Sequence, residues 1–231
     1  MKSDYVSHEI NDLLGPLNSV EEKHAPSHLY IAGNRDLLRR SPKVSIVGSR
    51  KASSEGLRRA SILTRKLIDE GMVIVSGLAE GIDTSAHEAA IEVGGETIAV
   101  LGTPLQEFYP AKNRSLQERI MREYLAISQF APGSTVRPAN FPMRNRTMAL
   151  ISDATVIVEA QNNSGSLHQG WEALRLGRPL FIMESNVKDT SLTWPAEMLQ
   201  YGAEVLTRET LASLFDSVPR SPRDEPIELS L

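Results

Sequence analysis

Short, β-rich apolar runs alternate with helical stretches along most of this 231-residue chain, and no other feature restricts its fold as strongly. Strand-like runs are predicted over 44–48, 72–76, 97–101, 124–128, 154–159 and 179–183, with a seventh at 204–206 at an edge. Several are apolar throughout, as strands covered on both faces should be. Helices are predicted between them over 55–70, 84–93, 115–122, 145–151, 167–176 and 195–200. Gly71, Gly94 and Gly177 follow three of these, where a left-handed residue ends a helix at little cost. The pattern implies a doubly wound α/β fold, with a mostly parallel sheet and helices on both faces.

Residues 1–42 lack a strong strand pattern and are expected to form a helical or irregular arm. The working domain is expected over 43–215, and the proline-rich, charged 216–231 as a flexible tail. There is no cysteine, which excludes disulfides and thiolate metal sites. The five histidines, His8, His24, His28, His87 and His168, lack the paired spacing of a metal site. Neither a signal-peptide core nor a membrane-length apolar run is present, so a cytoplasmic protein without metal or cofactor is expected.

The net charge of −4 does not by itself suggest a nucleic-acid binder. Its distribution does. No acidic residue occurs from Arg39 to Ser54, a stretch holding Arg39, Arg40, Lys43, Arg50 and Lys51. None occurs from Tyr124 to Ser152, which includes Arg137, Arg144 and Arg146. Binding follows the local field rather than the sum.

In an open α/β sheet, ligands bind outside the carboxyl ends of the strands. The first strand runs into Gly48-Ser49-Arg50, which combines close backbone approach, helix amides and a guanidinium fork for phosphate. It is neither GxGxxG nor a Walker A loop, so no dinucleotide or ATP site follows. The second runs into Ser76-Gly77 and then Gly81, with Asp83 and Thr84 as a capping pair. Ser76, Asp83 and His87 can be drawn as a hydrolytic triad, but no nucleophile elbow surrounds the serine. Gly102 ends the third strand, and Asn113 follows it. Phe141, Arg144, Asn145 and Arg146 then combine a stacking ring, two phosphate-neutralising cations and a base-edge or capping amide. Ser164, Gly165 and Ser166 open another helix toward the same edge. Each string alone is equally compatible with ordinary caps and core residues. Their convergence on one edge carries the argument.

Taken together, these strings resemble the DNA-processing protein family (DprA/Smf). The resemblance rests on LYIAGN at 29–34, IVGSR at 46–50, SGLAEGIDTSAHEAAI at 76–91, TIAVLG at 97–102, YPAKN at 109–113, FPMRNR at 141–146 and VEAQNNSGSL at 158–167. It implies an extended Rossmann-like fold that binds single-stranded DNA, forms a homodimer and hands the DNA to a RecA recombinase, as in natural transformation. It also implies that Arg50, Phe141, Arg144, Asn145 and Arg146 contact DNA, that the loops 76–83 and 164–166 cradle phosphate, and that none of them is catalytic. Departures such as Ser128-Gln129, His168-Gln169-Gly170 and Trp194 fall on the late half of the sheet edge. Two alternatives use the same loops. One is a nucleotide phosphoribohydrolase with Gly165, Ser166, Glu159 and Glu172 at its site; the other is a sensor of a nucleotide-like signal.

Overall fold

A computed structural model describes residues 5–40 and 42–218. In chain order the elements are β1 (Ser7–Glu9), α1 (Ile10–Leu14), α2 (Ser19–Glu22), β2 (His28–Gly33), β3 (Lys43–Val47), α3 (Ser54–Asp69) and β4 (Val73–Ser76). Then come α4 (Ile82–Glu92), β5 (Thr97–Leu101), α5 (Arg114–Glu123), β6 (Leu125–Ser128), α6 (Asn140–Ile151) and β7 (Ala154–Ile157). The chain continues through α7 (Ser166–Arg175), β8 (Leu180–Met183), α8 (Glu184–Lys188), α9 (Trp194–Gln200), β9 (Glu204–Leu206) and α10 (Leu211–Ser217).

One nine-stranded sheet runs in the order β1-β2-β6-β5-β4-β3-β7-β8-β9. From β6 to β9 every pairing is parallel, while β2 pairs antiparallel with both β6 and β1. The chain winds outward from β3 through β4 and β5 to β6, then returns to β7 on the other flank of β3 and winds away through β8 to β9. The topological switch point therefore lies between β3 and β7.

The period-two alternation of the strands sends side chains into separate cores above and below the sheet. Val44, Ile46, Ile74, Val156 and Phe181 meet Ala60, Leu63 and Leu67 of α3, Ala86 and Ala90 of α4 and Leu214 of α10. Val47, Val75, Ile157 and Ile182 face the opposite side, with Met148 and Ile151 of α6 and Trp194 and Met198 of α9. Both faces are covered, which explains the uninterrupted apolar runs. The doubly wound α/β fold is as expected.

Three expectations need correction. The described residues of 1–42, expected as a helical or irregular arm, hold the helices α1 and α2 but also two strands: β1 and β2 extend the sheet, with Tyr30 opposite Ser128 and Ile31 opposite Ile127. The expected tail begins too early, because Ser217 ends α10 and Val218 is buried in the core of the α3 face. The rest of that stretch, 219–231, lies outside the described residues. Helix α6 starts at Asn140 rather than 145, and Pro142 sits in its first turn, where a missing N–H breaks no bond.

Candidate nucleic-acid interface

A cleft of about 540 Å³ opens at the switch point, between the loops that follow β3 and β7. Its walls include Gly48 to Lys51 from the first loop, Gln161 and Asn163 to Ser166 from the second, and Phe141, Arg144 and Asn145 from α6. The order of the strands thus brings together segments more than a hundred residues apart in sequence.

Three helix N-termini point toward this edge, and they are not equivalent. At α3 the seat is filled by the protein itself. Ser53 caps Gly56 N, and the Glu159 carboxylate accepts from Ser53 N at 2.8 Å and Ser53 Oγ at 2.5 Å. Glu159→Ala should therefore cost about 1–2 kcal/mol in urea unfolding, as loss of a charged cap does. An unchanged midpoint would contradict this assignment. At α4 the Asp83 carboxylate takes the amides of Gly77 at 3.1 Å and Ala79 at 3.4 Å. The expected anion seats at these two loops are thus internal carboxylate sites. Helix α7 is different. A Cβ built on Gly165 meets nothing within 4 Å, and the Ser166 hydroxyl is buried without a hydrogen-bond partner. In the first turn of α7, Leu167 N donates to Ser164 O at 3.1 Å and His168 N to Gly165 O at 3.2 Å, and none of its residues is acidic, so the positive end of the helix carries no carboxylate of its own.

Under the cleft, Gly77 is held from both sides. Its N–H goes to Asp83, and its carbonyl accepts from Arg144 Nη1, which also reaches Val100 O at 2.7 Å. Arg144 Nε donates to Asn145 Oδ1 at 3.0 Å, and Asn145 Nδ2 donates to Gly165 O at 2.9 Å. A network from Asp83 through Arg144 and Asn145 therefore fixes the loop after β4 to the start of α7. Burial pushes the Asp83 carboxyl up, opposed by the Arg144 guanidinium and the two amides. Burial likewise lowers Arg144 to about 10, which leaves it charged at neutral pH. Gly81, at φ +78°, lets the loop pass Ser49, whose carbonyl would lie 2.2 Å from any Cβ there.

The expected site residues accordingly divide. Arg50 is exposed on the cleft, its guanidinium 5.2 Å from the centre of the half-buried Phe141 ring. Gly48, Ser49, Ser164, Gly165 and Ser166 line the same cleft. Arg144 is only 5% exposed, so it is not the free phosphate contact that was expected; two carbonyls hold it, though Nη2 makes no hydrogen bond among the described residues. Asn145 has both ends of its amide engaged, so it positions α7 rather than presenting a base-reading edge. Arg146 is exposed but does not line the cleft, because two helical steps turn it about 200° from Arg144.

Other expected residues lie below the cleft. Ser76 Oγ donates to Ile46 O at 2.6 Å, and His87 Nδ1 lies 2.7 Å from Thr97 Oγ1, so no hydrolytic triad forms. Gly102 gives Phe141 room: a Cβ there would be 2.7 Å from the ring. Asn113 is buried and donates to Leu78 O at 3.0 Å and Thr84 Oγ1 at 2.8 Å. Lys51, Gln161, Asn163 and His168, none of them expected as a site residue, also line the cleft. Lys51 directly follows the chosen Arg50, and His168 lies in the first turn of α7; both signals were legible. Among the described residues Arg50 and Lys51 make no ion pair, whereas Arg58, Arg65, Lys112, Arg114 and Arg119 each pair with a glutamate. No group of three His, Asp or Glu among the described residues could hold a metal ion.

Residues 9–216 match the family model of DNA recombination-mediator protein A. The chain belongs to that family. It is 39% identical over 203 residues to the DNA processing protein DprA of Streptococcus pneumoniae, covering 88% of this chain and 71% of that one. Across the curated relatives it matches, the chain spans between 45% and 71% of their length. The crystal structure of DNA processing protein A from Streptococcus pneumoniae superposes with a TM-score of 0.80 at 36% identity, covering 91% of this chain and 74% of that one. A structure of DNA processing protein A from Helicobacter pylori, described for that protein's unique single-stranded DNA binding mode, superposes with a TM-score of 0.77 at 26% identity. That overlap takes in 94% of this chain and 97% of the other. The fold of the recombination-mediator family is thus present from β1 to α10.

Proposed function

We propose that this chain binds single-stranded DNA in the switch-point cleft and, as a cytoplasmic homodimer, delivers it to a RecA-type recombinase, as in natural transformation. The observation that carries the reading is the meeting of two cations, Arg50 and Lys51, which make no ion pair among the described residues, with the positive end of α7 across one cleft. Phosphates bridging these two walls would meet a guanidinium, an ammonium and the positive end of a helix at once. Membership of the recombination-mediator family and the single-stranded DNA binding of the Helicobacter pylori protein support it. No described helix is long and apolar enough to cross a membrane.

The hydrolase alternative loses its carboxylates. Glu159 is held by Ser53, and Glu172 pairs with Arg175 at 2.6 Å, away from the cleft lining. A nucleotide sensor has no separate observation in its favour.

The test is fluorescence anisotropy of labelled oligo-dT across a salt series. Wild type should bind with affinity falling log-linearly with salt, and an Arg50→Ala/Lys51→Ala variant should lower the slope by about 0.7 for each phosphate contact removed. A folded wild type that fails to bind at low salt sinks the reading.

A further inference from the structure

Phe141, the ring that the sequence suggests for base stacking, is partly covered. Phe141 already carries the Arg50 guanidinium 5.2 Å from its ring centre, and Gly102 abuts its Cδ1 and Cε1 edge. A neighbouring ring is far more open. Tyr109 is 51% exposed, with its centroid 5.3 Å from that of Phe141 and the planes tilted by 47°. Its hydroxyl makes no hydrogen bond among the described residues. A ring this exposed leaves apolar surface in water that a stacked base would cover.

The segment that carries Tyr109 is tied down on both sides. Glu107 N donates to Pro104 O at 2.9 Å, and Glu107 O accepts from Thr103 Oγ1 at 3.1 Å and Gln117 Nε2 at 3.3 Å. Phe108 lies under the Arg114 guanidinium, 4.6 Å from its ring centre, and Asn113 N donates to Pro110 O at 3.0 Å. The fold thus anchors the residues around Tyr109 and leaves its ring in solvent, leaning on a phenylalanine that lines the cleft.

We infer that Tyr109 is the base-stacking residue of this site and that Phe141 is its buttress, holding Tyr109 on one side and Arg50 on the other. Phosphates in the cleft and a base on Tyr109 would then belong to adjacent nucleotides, linked through the Arg50–Phe141–Tyr109 row. Base–aromatic stacking tolerates any base, so this platform adds affinity without sequence preference. The inference rests on the DNA-binding reading above.

The experiment separates the two. Wild type, Tyr109→Ala and Tyr109→Phe are titrated against oligo-dT and against an oligonucleotide of equal length made of abasic sites. Tyr109→Ala should weaken binding to oligo-dT by roughly 5- to 100-fold, as loss of one stacked base does. Tyr109→Phe keeps the ring and should bind as wild type does. On the abasic strand all three proteins should bind alike, because only phosphate contacts remain. Equal affinity of wild type and Tyr109→Ala for oligo-dT overturns the inference, and so does an equal loss on both strands. A wild type that binds neither strand overturns the DNA reading itself and this inference with it.

Discussion

Replacing Arg144 with alanine should cost the fold about 3–5 kcal/mol, the largest single effect expected outside the apolar cores. The guanidinium sits where truncation cannot be rescued by water. It satisfies the buried carbonyls of Gly77 and Val100, and it supplies the nearest positive charge to the buried Asp83. Its removal leaves acceptors unpaired and a carboxylate uncompensated. Arg144→Lys should recover only part of the loss, since one ammonium cannot reproduce the fork that spans Gly77, Val100 and Asn145. Urea unfolding monitored by circular dichroism measures this directly, and an Arg144→Ala midpoint within about 0.5 kcal/mol of wild type would show that the network carries no stability. Loss of DNA binding in an Arg144 variant would be uninformative without that measurement. Arg50 and Lys51 are the cations to remove in a binding test, because among the described residues neither makes an ion pair or a side-chain hydrogen bond, and Arg50 only rests on the Phe141 ring.

The parallel strands and the helices between them were legible because burial on both faces makes each strand a short apolar run, bounded by helices with the opposite periodicity. Strands β1 and β2 escaped that logic. They pair antiparallel at the margin of the sheet, and β1 has only three residues, too few to display an alternation. The site was legible as a set of loops but not as roles. Gly48 to Arg50 and Ser164 to Ser166 do line one cleft. The string from Phe141 to Arg146 was read as if all its side chains faced one way. It lies on a helix, and steps of 100° send Arg144 inward and Arg146 outward. Sequence spacing likewise could not tell that Glu159 holds Ser53 at the start of α3, because that contact depends on β7 lying beside β3; the Asp83 bonds to Gly77 N and Ala79 N are local and depend on the fold of one loop. How far Phe141 is covered was hidden for a related reason. Exposure is set by the neighbours that cover a ring, and Arg50 lies about ninety residues away in sequence.

His87 should make the protein acid-sensitive in a way that one substitution can isolate. Burial is the main cause that lowers its pKa to about 3, and the nearby charge of Arg144 adds to it. The fold therefore holds the neutral imidazole, while the unfolded chain takes up a proton near pH 6.5. The stabilisation is complete above that value and is lost as pH falls toward the folded value, by about 1.4 kcal/mol for each pH unit. Asp83 acts in the opposite sense: its raised folded pKa contributes stability at low pH that disappears as pH rises through the folded value. The raw acid profile mixes the two. The difference between wild type and His87→Gln does not, since glutamine keeps a polar group near Thr97 and takes up no proton. Urea midpoints from about pH 7 to about pH 4.5 should show wild type losing stability relative to the variant at about 1.4 kcal/mol per unit. A difference that stays constant with pH would mean that the imidazole is protonated inside the fold. The Ser76 backbone, which favours the protonated form, would then outweigh the cost of burial.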